Sequence, residues 1–344
     1  MNNQFKRILI VRTDRLGDVI LSTPVIKNLR LAYPKAHIAF ICRPYTKDVL
    51  LGNPYLDEVI VCDKQIREKG LWGILRFAAA LKTKKFDLAI VLHPTDRAHL
   101  IVFLAGIPRR VGWIKKMGWL LTDRIPHRKQ EGKKHELEYN LDILRYLNIP
   151  VEDKKIYFPV SSQAQTGVDE RLNQAGIAKN TRFIVIHPSA SCPSKRWPEN
   201  YFSELVKILK AKVDLPMIAV TSKEESGFAD RLVKENEIID FRGKLNIPEL
   251  GALFKRAALF ISNDSGPVHI AASLNVPVIS IFGRKDPGLS PLRWMPQGKS
   301  SVYLHGDAGC LVCLAHNCQK GFLCLQNITP EQVAEKAFLL LAKT

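Results

Sequence analysis

The sequence predicts an α/β protein made of two doubly wound domains, each a parallel sheet covered by helices on both faces. Three observations carry that prediction. β-rich apolar runs alternate with helix-like stretches along nearly the whole chain, the signature of parallel sheets with crossover helices. The alternation occurs twice, on either side of a linker-like stretch. The length of 344 residues is too great for one average domain and suits two, each able to bury its own core. Two Rossmann-like domains of this kind, facing a cleft, bind ligands at the carboxyl ends of their strands.

In the first half, Ile8 to Val11, Ile38 to Cys42, Glu58 to Val61 and Leu88 to Leu92 are short Ile/Val/Leu-rich runs that predict strands. Val19 to Ala32 and Trp72 to Lys82 predict helices between them. Pro150 to Thr166, with Asp153-Lys154-Lys155, Pro159 and Ser161-Ser162-Gln163, has the composition of a linker. The boundary falls near residue 160, giving domains 1–160 and 161–328. In the second half Phe183 to His187, Met217 to Thr221, Ile238 to Phe241, Leu259 to Asn263 and Val278 to Phe282 repeat the strand pattern. Thr329-Pro330-Glu331-Gln332 then offers an N-cap and first turn before an Ala/Leu face, which predicts a closing helix over 329–344.

Composition narrows the class. Hydrophobic residues make up 46% and charged residues 24%, a globular balance, and no window approaches eighteen uninterrupted apolar residues, so no spanning helix is expected. The N-terminus runs into a strand without an apolar leader region, so the expectation is a cytoplasmic protein. The net charge of +18 calls for an anionic partner. Basic residues crowd Arg109 to Lys134, interleaved with Trp113, Trp119 and two leucines. That pattern suits a surface touching phosphorylated lipid headgroups, with Trp and Leu dipping into the interface; the alternative is a solvated basic loop. Nucleic acid is not an expected partner, because no zinc-finger spacing, RNP-like aromatic motif or basic heptad region is present.

Three loops at predicted strand ends carry chemistry. Arg12-Thr13-Asp14-Arg15-Leu16-Gly17-Asp18-Val19 follows the first strand, with Gly17 permitting a tight turn and Asp18 beside a helix start. His187 to Pro198 follows the first strand of the second half, where Ser189 and other small hydroxylated residues offer donors and Lys195 a point charge for a phosphoryl oxygen. Asn263-Asp264-Ser265-Gly266-Pro267-Val268-His269 joins an apolar strand to an apolar helix. There Asp264 or Ser265 can cap the helix, Gly266 lets backbone approach a ligand, and the first-turn N–H groups favour an anion. A plain strand-to-helix turn is the rival reading of that segment, and a helix-capping carboxylate the rival for Asp18.

These motifs, with Lys195-Arg196-Trp197-Pro198 and Phe282-Gly283-Arg284-Lys285-Asp286-Pro287, together resemble the ADP-heptose:lipopolysaccharide heptosyltransferases, glycosyltransferase family 9. A Cys-rich segment followed by Ile328-Thr329-Pro330-Glu331 is also similar to members of that family. The resemblance implies a GT-B architecture with an N-terminal acceptor domain and a C-terminal nucleotide-sugar domain. It implies inverting transfer of heptose from ADP-heptose to the lipopolysaccharide inner core, on Kdo–lipid A or an already heptosylated acceptor. Its general base falls on Asp18 and its phosphate-binding lysine on Lys195, the two residues expected to be catalytic. Donor contacts fall on Ser189, Lys195, Asp264, Ser265, Gly266 and His269, with the nucleoside pocket around Glu224 and Leu245. Arg12, Asp14, Arg15 and His93 are expected to meet a phosphorylated glycolipid acceptor, Arg15 foremost. The protein would then sit peripherally at the cytoplasmic face of an anionic inner membrane.

No cofactor is expected for catalysis. Cys310, Cys313, Cys318 and Cys324 have a Cys-x2-Cys-x4-Cys-x5-Cys spacing that could ligate a structural zinc or an iron–sulfur cluster, with reduced thiols as the alternative. A nicotinamide-dependent oxidoreductase is disfavoured because no Gly-x-Gly-x-x-Gly follows the first strand. Transfer of another sugar from a different nucleotide, a noncatalytic sugar-nucleotide-binding protein and a sugar-nucleotide epimerase of the same fold remain as rivals. Retention of both Asp18 and Lys195 speaks against a dead enzyme.

Overall fold

The computed structural model describes residues 5–343. The chain divides into two compact units, Met1–Gln130 with Lys134–Pro159, and Glu131–Lys133 with Val160–Thr344. Each is built on one six-stranded, wholly parallel sheet, so the α/β doubly wound fold expected from the sequence is the fold observed.

In the first unit the strands are β1 (Arg7–Val11), β2 (His37–Cys42), β3 (Glu58–Val61), β4 (Leu88–Val91), β5 (Arg109–Ile114) and β6 (Asp123–Pro126), ordered β3-β2-β1-β4-β5-β6. Its helices are α1 (Leu16–Ile20), α2 (Thr23–Ala32), α3 (Gly70–Thr83), α4 (Asp96–Leu104) and α5 (Glu136–Tyr146). Ile8 to Val11 are buried, as a central parallel strand covered on both faces must be. The single helix predicted over Val19 to Ala32 is two. Pro24 has no N–H to give to the Ile20 carbonyl, and the Thr23 hydroxyl donates to that oxygen instead, at 2.8 Å.

Strands β5 and β6 correct the reading of the basic segment. Val111 pairs with Asp123 and Trp113 with Ile125, so Arg109 to Pro126 forms the edge of the sheet rather than an interfacial loop. Trp113 is buried, its ring edge-on to Tyr139 at 6.1 Å, and Leu120 and Leu121 are buried too. Arg109 pairs with Asp123 at 2.9 Å, and Arg110 Nε donates to the Leu120 carbonyl at 2.9 Å. Trp119 alone of the two tryptophans is exposed. The basic side chains here close an edge, which parallel sheets otherwise leave open to further pairing.

In the second unit the strands are β7 (Phe183–His187), β8 (Met217–Ala219), β9 (Ile239–Asp240), β10 (Ala257–Asn263), β11 (Val278–Phe282) and β12 (Ser301–His305), ordered β12-β11-β10-β7-β8-β9. Read from the other edge this is the strand order of the first unit. Between and after them lie α6 (Ser162–Gln174), α7 (Glu199–Lys210), α8 (Asp230–Asn236), α9 (Ile247–Arg256), α10 (Pro267–Ser273), α11 (Pro291–Trp294), α12 (Leu323–Gln326) and α13 (Pro330–Leu341). Thr329 and Gln332 form a reciprocal capping box at the start of α13, whose Val333, Ala334 and Ala337 are buried in one core with Phe202, Leu205 and Leu209 of α7.

In each sheet the strand order reverses between two neighbours, β1 and β4 in the first, β7 and β10 in the second. At such a reversal the loops leaving the two strands part in opposite directions and leave a crevice. All the predicted chemical loops emerge beside these two reversals.

Candidate functional site

In the first unit the loop after β1 enters α1 through an extended Arg15 at the N-cap, Gly17 is already helical rather than the turn residue the sequence suggested, and Asp18 lies in the first turn of that helix. No side chain caps α1, so Asp18 is not spent on capping. Its Oδ1 accepts from Arg12 Nη2 at 2.6 Å. Burial, reinforced by the negative charges of Asp14 and Glu136 and opposed by Arg12, pushes the Asp18 carboxyl up to about 6. A carboxylate there is a competent proton acceptor near neutral pH.

Arg12, expected from the sequence to meet an acceptor, is turned inward. It is buried, and its guanidinium is used throughout: Nε on Asp14 at 3.0 Å, Nη1 on Asn140 Oδ1 at 2.7 Å, and Nη2 on both Asp18 and Glu136 Oε1, the latter at 3.0 Å. Burial works against this charge, but three carboxylates more than offset it. Asp14 is likewise internal to the network. Its Oδ2 lies 2.6 Å from His93 Nδ1, at the end of β4, and Arg12 and His93 outweigh the effect of burial and hold the carboxyl below its usual range. Arg15 is exposed and makes no side-chain hydrogen bond or ion pair with the described residues, while His93 is partly exposed. Both side chains are therefore reachable from solvent.

Three members of this network escaped sequence reasoning. Glu136 and Asn140 lie one turn apart on α5, and Lys129 Nζ donates to Glu136 Oε1 at 2.8 Å. All three are buried. Glu136 looked like an ordinary first-turn acid, and nothing local in Lys133-Lys134-His135-Glu136 signals that it faces Arg12, 124 positions earlier.

In the second unit the loops after β7 and β10 are stitched together. Asn263 Nδ2 donates to the Pro188 carbonyl at 2.7 Å and its Oδ1 accepts from the Trp197 N–H at 3.0 Å. Trp197, fully buried, donates its indole N–H to the Ile328 carbonyl at 2.8 Å. This anchor fixes the preceding turn, Pro193–Lys195, and with it Lys195. Asp264 does not cap α10, nor does Ser265; Gly266 holds the N-cap position without a side-chain bond. Instead Asp264 Oδ2 accepts from Arg284 Nη2 at 2.6 Å and lies 3.1 Å from Lys195 Nζ. Burial would raise the Asp264 carboxyl, but the two cations prevail and hold it low. One carboxylate therefore gathers two cations in one place, leaving a net positive site. Arg284 stood in a quoted motif without a role; nothing in its spacing showed that it reaches Asp264.

Ser189 Oγ donates to Glu225 Oε2 at 2.9 Å and lies 3.2 Å from His187 Nε2. With its hydrogen given to Glu225, the serine accepts from Nε2; Nδ1 is then an acceptor, and because the Ser262 hydroxyl donates to the Asn263 carbonyl at 2.9 Å, the donor left for it is the Ser265 hydroxyl at 3.4 Å. Burial pushes the His187 imidazole down to about 4, so it stays neutral. Glu224, the expected carboxylate, is exposed, and its neighbour Glu225 is the one turned to Ser189. The two loops expected to flank a nucleoside do meet. The Gly243 N–H donates to the Thr221 carbonyl at 3.0 Å, and at its φ of +64° a Cβ on Gly243 would come within 3.1 Å of Lys223 Cα. Leu245 beside it is half-buried, and His269 is buried on α10. Arg196 stacks over Phe228 at 3.9 Å and donates to the Ala190 carbonyl at 2.8 Å.

The four clustered cysteines line one cavity of about 330 Å³ with Arg284 and His305. Their sulfurs are engaged separately: Cys324 donates to the Gly283 carbonyl at 2.6 Å, and Cys313 accepts from the Lys285 N–H at 3.4 Å. Burial and the neighbouring sulfurs push the Cys324 thiol up, toward its protonated form. Among the described residues no group of three or more His, Cys, Asp or Glu side chains is arranged to hold a metal ion.

Comparison with known proteins agrees with this fold. The family described as glycosyltransferase family 9 (heptosyltransferase) matches residues 74–323. Lipopolysaccharide heptosyltransferase 3 of Escherichia coli is 27% identical over 298 residues, covering 83% of this chain and 85% of that protein. Among solved structures, a glycosyl transferase family 9 protein from Veillonella parvula superposes with a TM-score of 0.89 at 24% identity, covering 100% of this chain and 99% of its own. The Escherichia coli ADP-heptose lipopolysaccharide heptosyltransferase II does so with a TM-score of 0.79 at 22% identity, covering 98% and 99%. The chain belongs to glycosyltransferase family 9, the heptosyltransferases, and is a glycosyltransferase.

Proposed function

We propose that the protein transfers heptose from ADP-heptose to a phosphorylated inner-core acceptor of lipopolysaccharide, with inversion at the anomeric carbon, while peripherally bound to the cytoplasmic face of the inner membrane. The observation that carries this reading is Asp18: a partly buried carboxylate at the strand-order reversal, oriented by one charged hydrogen bond and pushed up to about 6.

The first unit supplies the base and meets the acceptor. Asp18 takes the proton of the acceptor hydroxyl as that oxygen forms its bond to the anomeric carbon. The bond from that carbon to the diphosphate oxygen breaks on the opposite face, so a single displacement inverts the centre. Arg15 and His93 receive the acceptor's anionic groups. Arg12, Glu136, Lys129 and Asn140 position Asp18 without touching substrate.

The second unit holds the donor. Negative charge grows on the departing diphosphate, and Lys195 and Arg284, gathered by Asp264, face that charge with the backbone N–H groups of Ser265 and Gly266 at the start of α10. Glu225, with Ser189 and the loop through Leu245, takes the nucleoside, Glu225 accepting from ribose hydroxyls. Such preorganised donors stabilise the transition state more than the ground state, which is what accelerates transfer. No metal is assigned a step.

Calorimetric titration with ADP-heptose, ADP-glucose and UDP-glucose under identical conditions tests the donor. Selective binding of ADP-heptose is expected. Preference for another sugar nucleotide would keep the glycosyltransferase and discard the heptose.

A further inference from the structure

We propose that the outer face of α3 and the loop leading into it form the surface that docks this protein on an anionic lipid bilayer. The proposal rests on the membrane-bound reading above and moves its contact surface away from the basic segment 109–134, whose Trp113, Leu120 and Leu121 are buried.

Helix α3 has two apolar faces. Ile74, Phe77, Ala78 and Leu81 are buried against the sheet. On the outside, Leu71 and Trp72 stand one turn before Leu75 and are left in water, Leu71 at 61% and Trp72 at 85% exposure, with Ile66 in the preceding loop at 78%. A helix apolar on both sides wants an apolar medium on the second side as well. Large apolar side chains so exposed, and so close together in the chain, mark an interaction surface rather than scattered surface leucines.

Charge selects the occupant. The exposed ionisable residues between 64 and 76 are Lys64, Arg67, Lys69 and Arg76; the one acid there, Glu68, is buried and accepts from the Asp63 N–H at 2.6 Å. A twofold contact with a second copy would set these cations against their own equivalents. An anionic headgroup layer meets them with opposite charge while Trp72 and its neighbours enter the acyl boundary.

The topology gives the surface a use. In a parallel sheet all carboxyl ends lie on one edge, so the loop after β3 that carries Ile66 emerges on the same edge as Asp14 and Asp18 after β1 and His93 after β4. A chain seated on the bilayer through α3 presents that edge to a lipid-anchored acceptor.

The test is co-sedimentation of the full chain with vesicles of equal parts phosphatidylglycerol and phosphatidylethanolamine, for the wild type, Trp72→Glu, Arg67→Glu/Lys69→Glu and the control Trp119→Glu. Wild type and Trp119→Glu should bind alike. Trp72→Glu should bind roughly ten- to a hundred-fold more weakly, as loss of one buried aromatic implies, and the charge reversal should weaken binding and its salt dependence. Turnover with a water-soluble, deacylated acceptor, measured alongside, should be unchanged by Trp72→Glu. Vesicle binding unaffected by Trp72→Glu would overturn the proposal, as would a wild-type dimer that Trp72→Glu dissolves. Absence of heptosyl transfer in every variant, with Trp72-dependent vesicle binding intact, would instead sink the proposed function and leave the docking surface standing.

Discussion

Arg12 Nη2 donates to Asp18 Oδ1 across 2.6 Å, and the same guanidinium is held from behind by Glu136. The contact aims the carboxylate and moderates its basicity, yet burial and the charges of Asp14 and Glu136 outweigh it, and the carboxyl rests near 6. Asp18 is therefore oriented by a cation without being neutralised by it.

The pH dependence follows. A base must be ionised, so kcat/KM should fall about tenfold per pH unit below about pH 6 and level off above it, because protonated Asp18 cannot accept the acceptor's proton. Glu136→Gln removes a negative charge that raises Asp18 and frees Arg12 to serve it more strongly; both effects move the acid limb to lower pH. A pH–rate profile of the two proteins checks the sign. An upward shift in Glu136→Gln would show that the network acts otherwise.

Asp18→Asn keeps shape and removes the base. Transfer should drop by roughly 10²- to 10⁴-fold, while ADP-heptose affinity stays nearly constant, since the donor groups lie in the other unit. Single-turnover rates and calorimetry on the same preparation separate the two. Wild-type turnover in Asp18→Asn would remove the assigned base.

Asp264→Asn leaves the buried Arg284 and the partly buried Lys195 uncompensated, at a cost of about 3 kcal/mol in stability. A diphosphate supplies the missing negative charge. The variant should therefore melt well below wild type without ligand and gain more from saturating ADP than wild type does. Equal gains in thermal melts would mean that these cations do not face the phosphates.

Glu225→Ala should weaken donor binding by about tenfold, the loss of one or two hydrogen bonds to a charged group, whereas Glu224→Ala should leave it within about twofold. Donor titrations of the two variants decide between adjacent residues that sequence alone could not rank.

The sequence revealed what local pattern encodes. Strands with continuous Ile/Val/Leu runs, such as Ile8 to Val11 and Phe183 to His187, were legible because burial on both faces leaves no polar alternation to confuse. The strands β5, β6 and β12 were not: Arg109-Arg110 opens β5, which lies next to the edge, while β6 and β12 are edges, Asp123-Arg124 opening β6 and β12 being half-exposed, so a position at or beside the edge left them polar residues. In the candidate site, Asp18, Lys195 and Asp264 stand in motifs at strand ends and could be named from sequence. Arg12 could be named but not placed, because whether an arginine meets a substrate or an internal carboxylate depends on Glu136, 124 residues away. The same holds for Arg284 on Asp264, and for Glu225 over Glu224, where one step along a loop decides which carboxylate turns to Ser189.

The central claim is a single inverting displacement from ADP-heptose with Asp18 as base. The most direct measurement incubates the enzyme with ADP-heptose and deacylated Kdo–lipid A, quantifies ADP release, and reads the product's anomeric configuration by NMR. The account predicts stoichiometric ADP release with a new heptosyl linkage of configuration opposite to the donor's, lost in Asp18→Asn. A product that retains the donor's configuration, or full transfer by Asp18→Asn, would contradict it.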